Sequence, residues 1–210
     1  MEDKVQTSSP KFDRDKFLVN QKRLTLREKY YIYAENGEEL FYVERDFKLL
    51  GKKNITVFND DSKQVPVLQI NQEHFWEFGR REYTVFDSEG NAIATFYRNN
   101  WKSLFRRGWE VFDANHNLVA KAREDSLALA FVRRIIDFIP FVELLGGIIK
   151  TDFHLFSVDA EGREEKIGSF DRKLSFADKY VMNLSDDPER KLDRRAAVAL
   201  GILLDTAEKR

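Results

Sequence analysis

Cysteine is absent from all 210 residues. That removes disulfides, thiolate nucleophiles and cysteine metal sites together, and it fits a reducing compartment. An excess of charge of one sign is lacking too. With 35 basic and 36 acidic side chains the formal net charge is -1, so no global field draws in nucleic acid, and none is expected as a partner. No apolar run reaches the roughly 20 residues a membrane-crossing helix needs, so no transmembrane span is expected. The opening stretch MEDKVQTSSPKFDRDK lacks the apolar core of a signal peptide. These absences point to a cytoplasmic protein, with peripheral contact to a membrane left open. Also missing are a phosphate-cradling Gly-rich loop, a Gly-x-Ser-x-Gly elbow and a catalytic pairing of carboxylates. His74, His116 and His154 stand far apart, and none has a second His or Cys at metal-ligand spacing. Asp60-Asp61 and Asp186-Asp187 suit a hairpin turn and a helix cap. No catalytic residue, cofactor or metal is expected, and the chain reads as no enzyme.

Hydrophobic residues make up 42% of the chain, enough to build a core in one domain. Residues 1–15 read as a flexible tail and 16–210 as that domain. Most of the aromatic and β-branched residues fall in short runs separated by Asn, Asp and Gly, the pattern of strands and turns. Within it Tyr83–Ala94 repeats as Trp109–Ala120 almost position for position, with looser copies beginning at Tyr31, Thr56 and Phe156. Each reads strand, tight turn, strand.

A β-branched residue followed by a small one recurs in the second strand, at Ile93-Ala94, Val119-Ala120 and Ile167-Gly168. In Leu118–Arg123 alternation puts Leu118, Ala120 and Ala122 on one face, with Lys121 and Arg123 on the other. So thin a face either admits something bulky or reflects ordinary size alternation in a core. The C-terminus favours the first. Asp187-Pro188 has the form of a helix start, and Ala196–Leu204 is apolar on every helical face. A helix of that kind must be surrounded. In a chain made of strands, only a sheet curled around it can do so.

The stretches Phe17–Lys22, Lys29–Ile32 and Asn36–Glu44, the hairpin repeats, Ala177–Met182 and the apolar run up to Asp205 together resemble LURP-one-related proteins. They are also similar to phospholipid scramblases, and both groups belong with the Tubby C-terminal domains. The resemblance implies a mainly β fold, a closed antiparallel barrel of about twelve strands around a buried C-terminal helix. Scramblases carry a cysteine-rich segment and a calcium segment before the helix. Here cysteine is lacking, and Asp178 is followed by Lys179 rather than an oxygen ligand, so neither lipid scrambling nor calcium binding is expected.

A lumen filled by a helix leaves binding to the outer surface. Two segments have the composition for it. Arg98–Trp109 interleaves Lys102, Arg106 and Arg107 with Trp101 and Phe105, as an anionic lipid surface requires. The resemblance implies the same, since Tubby-like domains use basic surface residues for phosphoinositides. The other reading is a strand with one buried aromatic face. An apolar helical insertion at about 126–149, interrupted by Arg133 and Arg134 and broken at Pro140, reads as a plug on a barrel end, a membrane contact or an oligomer interface. The expected function is a non-catalytic binding or regulatory domain. Its partner would be an anionic phospholipid surface or a protein, with Trp101, Lys102, Phe105, Arg106, Arg107, Arg133 and Arg134 as contacts. The alternative is a homo-oligomeric scaffold assembled through 126–149.

Overall fold

The computed structural model describes residues 9–22, 29–45, 54–73, 80–99, 108–124, 153–173 and 179–208. Its strands are β1 (Lys16–Lys22), β2 (Lys29–Tyr33), β3 (Glu39–Arg45), β4 (Asn54–Phe58), β5 (Pro66–Gln72) and β6 (Arg80–Asp87), then β7 (Ala92–Asn99), β8 (Gly108–Asp113), β9 (Leu118–Glu124), β10 (Phe153–Val158), β11 (Glu164–Lys173) and β12 (Lys179–Asn183). The helix α1 (Arg194–Glu208) follows. Each strand pairs with the next and β1 pairs antiparallel with β12, so the sheet closes into a barrel and leaves no open edge.

The sequence repeat is a bulged hairpin. In each of the pairs β2–β3, β4–β5, β6–β7, β8–β9 and β10–β11 the register shifts by one residue, just beside the turn in the first four and three residue pairs from it in β10–β11. Leu40, Val67, Ile93, Val119 and Ile167 are the extra residues. A bulge increases local twist and bends its strand, and repeating it around the ring supplies the curvature that closure needs. The β-branched residue before each small one is therefore the bulge itself. The bulge also corrects the reading of Leu118. Because Val119 is extra, Leu118 pairs with Phe112, and the buried set of β9 becomes Ala120, Ala122 and Glu124.

One carboxylate holds each of the β6–β7, β8–β9 and β10–β11 turns. Asp87 accepts the backbone N–H groups of Glu89 and Asn91, Asp113 those of Asn115 and Asn117, and Asp159 those of Glu161 and Arg163. The turn then needs a left-handed residue, supplied by Gly90 and Gly162 and, in the β8–β9 turn, by His116 at φ 61°. Burial works against the charged form of Asp87 and Asp113, but the donated N–H and Asn amide bonds outweigh it and hold both carboxyls below their ordinary range. Such groups contribute stability above their unfolded pKa of about 3.9, and the contribution is lost as pH falls through the lower folded value. The melting temperature should therefore fall below about pH 4, and Asp87→Asn with Asp113→Asn should flatten that fall. A wild-type melting temperature unchanged in acid would refute it.

The inward side chains and α1 make one core. From Ala196 to Asp205 every residue of α1 is buried, as an apolar run inside a barrel must be. At Gly201 an added Cβ would lie 3.3 Å from Met182 and 3.4 Å from Phe170, so helix and wall are in close contact. Gly168 is small for another reason. Its Cβ would stand 2.1 Å from the Asn183 carbonyl oxygen of the next strand, and Gly168→Ala should cost about 1–3 kcal/mol in a denaturant titration. Wild-type stability there would mean that the β11–β12 approach is looser than described.

Two expectations at the ends of the chain change. Residues 9–15 are not a loose tail. Pro10–Phe12 form a 3-10 turn, and Phe12 is buried with its ring 4.4 Å from Phe41. Residues 1–8 lie outside the described set. At the other end α1 starts at Arg194 rather than after Asp187. Asp193 is the cap, its carboxylate accepting Arg195 N–H at 2.8 Å. Arg190 takes φ 54°, which interrupts any helix begun at Pro188.

Candidate functional site

A twelve-stranded barrel can enclose a ligand, but here the lumen is occupied by α1 and the side chains packed on it. Chemistry is left to the two ends and the outer wall. The tight turns all lie at one end, because each follows an even-numbered strand. The segment between β12 and α1 crosses the same end and is tied down by charge. Arg194, 4% exposed, donates to Asp187 Oδ2 at 2.6 Å and to Asp15 Oδ1 at 2.7 Å. It also donates to the carbonyls of Asp187 and Leu192 at 2.8 and 3.2 Å. Asp187, 1% exposed, further accepts the N–H groups of Lys191 and Leu192. Arg190 pairs with Asp13, and Arg14 with Glu38. This is a clasp over the N-terminus of α1, and its groups are committed to one another.

Most charges in the surface hollows are committed likewise. One of about 520 Å³ is lined by Ser157, Asp159, Arg163, Glu164, Glu165 and Lys191, among others. Glu165 holds Lys191 at 2.6 Å, Glu164 holds Lys121 at 2.9 Å and also Arg123, and Asp159 holds Arg163 at 2.6 Å. A second, of about 340 Å³, lies over β6–β8 beside Glu73, Glu82, Asp113 and His116. Glu82 accepts the Tyr97 hydroxyl at 3.0 Å, and Asp113 belongs to its own turn. His116 is there for its backbone. His154 lies on the outer phase of β10, paired with Arg123 and Ser169. Among the described residues no group of three His, Cys, Asp or Glu is placed to hold a metal, and no helix is long and apolar enough to cross a membrane.

At the opposite end stand the strand termini that bracket both segments singled out from sequence. Asn99 and Gly108 flank the first, Glu124 and Phe153 the second, so both segments join strands at the same end of the barrel. Trp101, Lys102, Phe105, Arg106, Arg107, Arg133 and Arg134 themselves lie outside the described residues, as do the 126–149 segment, His74 and Asp178. The residues flanking them are described. Arg98 lies across from Trp109, and Tyr97 meets Phe112 edge-on at 5.3 Å. Glu124, buried and directly opposite Phe153, was missed from sequence, although the alternation that buries Ala120 and Ala122 continues to it.

Comparison with known proteins agrees with this architecture. The model of the LURP-one-related family matches residues 43–205. Among solved structures, the X-ray structure of a protein from Arabidopsis thaliana is similar over 96% of this chain and 97% of its own, at 15% identity and a TM-score of 0.52. That likeness shows a common fold. A porin-like protein from Bacteroides uniformis aligns over 84% of this chain and 97% of its own at 9% identity, with a TM-score of 0.22, too low to bear on the fold. No curated protein matches the chain.

Proposed function

Because this chain belongs to the LURP-one-related family and its lumen is filled by its own helix, we propose that it is a non-catalytic binding or regulatory domain working through its outer surface. The occupied lumen carries this reading. It leaves no enclosed chamber of the kind that lipocalin-like barrels use for a small ligand. In the described hollows the paired charges cited above serve the fold. The partner is an anionic membrane lipid or a protein, and the domain works in the cytoplasm, peripheral to the membrane. In the lipid case Lys102, Arg106, Arg107, Arg133 and Arg134 supply charge, and Trp101 and Phe105 enter the interface.

Charge reversal tests it. Arg106→Glu with Arg107→Glu should abolish co-sedimentation with phosphatidylserine vesicles and leave the melting temperature unchanged. Undiminished binding would retire that patch. If the wild type binds no vesicle at any salt concentration, the partner is a protein or a second copy. Sedimentation velocity then decides whether the 126–149 segment assembles copies.

A further inference from the structure

The two surface hollows differ in how their acids are balanced. In the one of about 520 Å³ the acids Glu165, Glu164 and Asp159 each hold a base. The hollow of about 340 Å³ over β6–β8 also carries acids, Glu73, Glu82 and Asp113, but among the described residues no lysine or arginine lines it. The hydrogen bonds that reach these acids come from neutral donors. Asp113 accepts backbone and amide N–H groups of its own turn, and Glu82 accepts the Tyr97 hydroxyl. The carboxylate of Glu73 has no partner among the described residues. Glu73 donates its backbone N–H to the Glu82 carbonyl at 3.1 Å, and Gln72 and Tyr83 beside them are buried inward. The two carboxylates therefore stand opposite one another on the outer face.

A hydroxyl is left over in the same place. Ala94 and Phe96 are buried inward, so Thr95 stands on the outer phase of β7, where it lines the hollow. It is nevertheless only 6% exposed, and its hydroxyl has no hydrogen-bond partner among the described residues. Thr84, directly across from Thr95, and Phe86 line the hollow beside it. Burying an unpaired hydroxyl costs stability, as does opposing two like charges across a strand pair. Both costs fall in one concavity, and a ligand that carries positive charge and donates hydrogen bonds removes both.

We propose that this hollow receives the guanidinium of an arginine side chain from a partner protein. The inference rests on the outer-surface binding reading above and names the chemistry by which that surface recognises a protein. Charge complementarity fixes the sign of the ligand. The lining selects guanidinium over ammonium. A planar group with five donors can bridge two carboxylates and a hydroxyl at once and lay its face against Phe86, whereas an ammonium is a compact point charge.

The test is an NMR titration of the full chain with a capped Gly-Ser-Arg-Ser-Gly peptide, beside the same peptide carrying citrulline or lysine in place of arginine. Shifts should centre on the amides of Glu73, Thr84 and Thr95. Glu73→Gln should weaken binding about tenfold or more, the loss of one hydrogen bond between charged groups, and Thr95→Val should weaken it severalfold. Both variants should melt at or above the wild-type temperature, because one removes a like-charge opposition and the other an unpaired hydroxyl. A purely structural role would lower it. The citrulline peptide, of the same shape but neutral, should bind about tenfold more weakly or worse, and the lysine peptide should also be weaker. Absence of shifts at these residues, or shifts that survive both substitutions, would overturn the site. Equal binding of the lysine peptide would overturn the guanidinium assignment. Neither result bears on the vesicle and sedimentation tests above, so the binding-domain reading stands or falls separately.

Discussion

Arg194→Met is expected to lose about 3 kcal/mol or more of unfolding free energy in a denaturant titration, because it leaves Asp187 charged, buried and without a cation. Asp187 is 1% exposed and keeps only the N–H groups of Lys191 and Leu192. Those two bonds put the loss at the lower end of what a broken buried pair costs. The Leu192 carbonyl loses the guanidinium donor in the same step, and the Asp187 carbonyl keeps only the Arg190 N–H. Asp15→Ala removes the other carboxylate that Arg194 holds, yet Asp15 is 52% exposed and should cost no more than about 1 kcal/mol. The contrast separates burial from pairing as the cause. Equal effects of the two substitutions would mean that the clasp is a surface network.

Ala199→Asp should leave no folded protein to measure. Ala199 is fully buried at the middle of α1, inside a cluster of aliphatic and aromatic side chains from the barrel wall. An unpaired carboxylate there either pays several kcal/mol of desolvation or stays protonated at a comparable cost. A domain with a total stability of about 5–15 kcal/mol also needs the packing around α1 that the larger side chain would disturb. A cooperative thermal transition at the wild-type temperature would show that α1 is not enclosed.

Much of this fold could be read from sequence because its strongest signals are local. The apolar run Ala196–Leu204 demanded enclosure by its composition alone. The repeat of Tyr83–Ala94 in Trp109–Ala120 marked successive hairpins. The Ile93-Ala94 and Val119-Ala120 pairs pointed to a thin wall, although only the register shows that the first residue of each is a bulge. What escaped were non-local partners. Asp187-Pro188 has the form of a helix start, and nothing nearby in sequence says that its carboxylate is claimed by Arg194 seven residues on and its guanidinium partner by Asp15, 179 residues away. Glu124 shares the phase of Ala120 and Ala122, but a lone carboxylate at a strand end reads as exposed. The basic and aromatic residues 101–107 were legible as a composition, and the described strands place that segment's flanks at the end away from the tight turns.

Because the chain has no cysteine, a single introduced thiol reports burial without background. The most direct test of the helix-filled barrel is the native-state labelling rate of Ala199→Cys beside that of Val65→Cys, whose position is 56% exposed. The thiol of Val65→Cys should react at the rate of a free thiol, and that of Ala199→Cys only through global unfolding, slower by at least about a thousandfold. Comparable rates at the two positions would contradict a barrel closed around its own helix, and with it the assignment of binding to the outer surface.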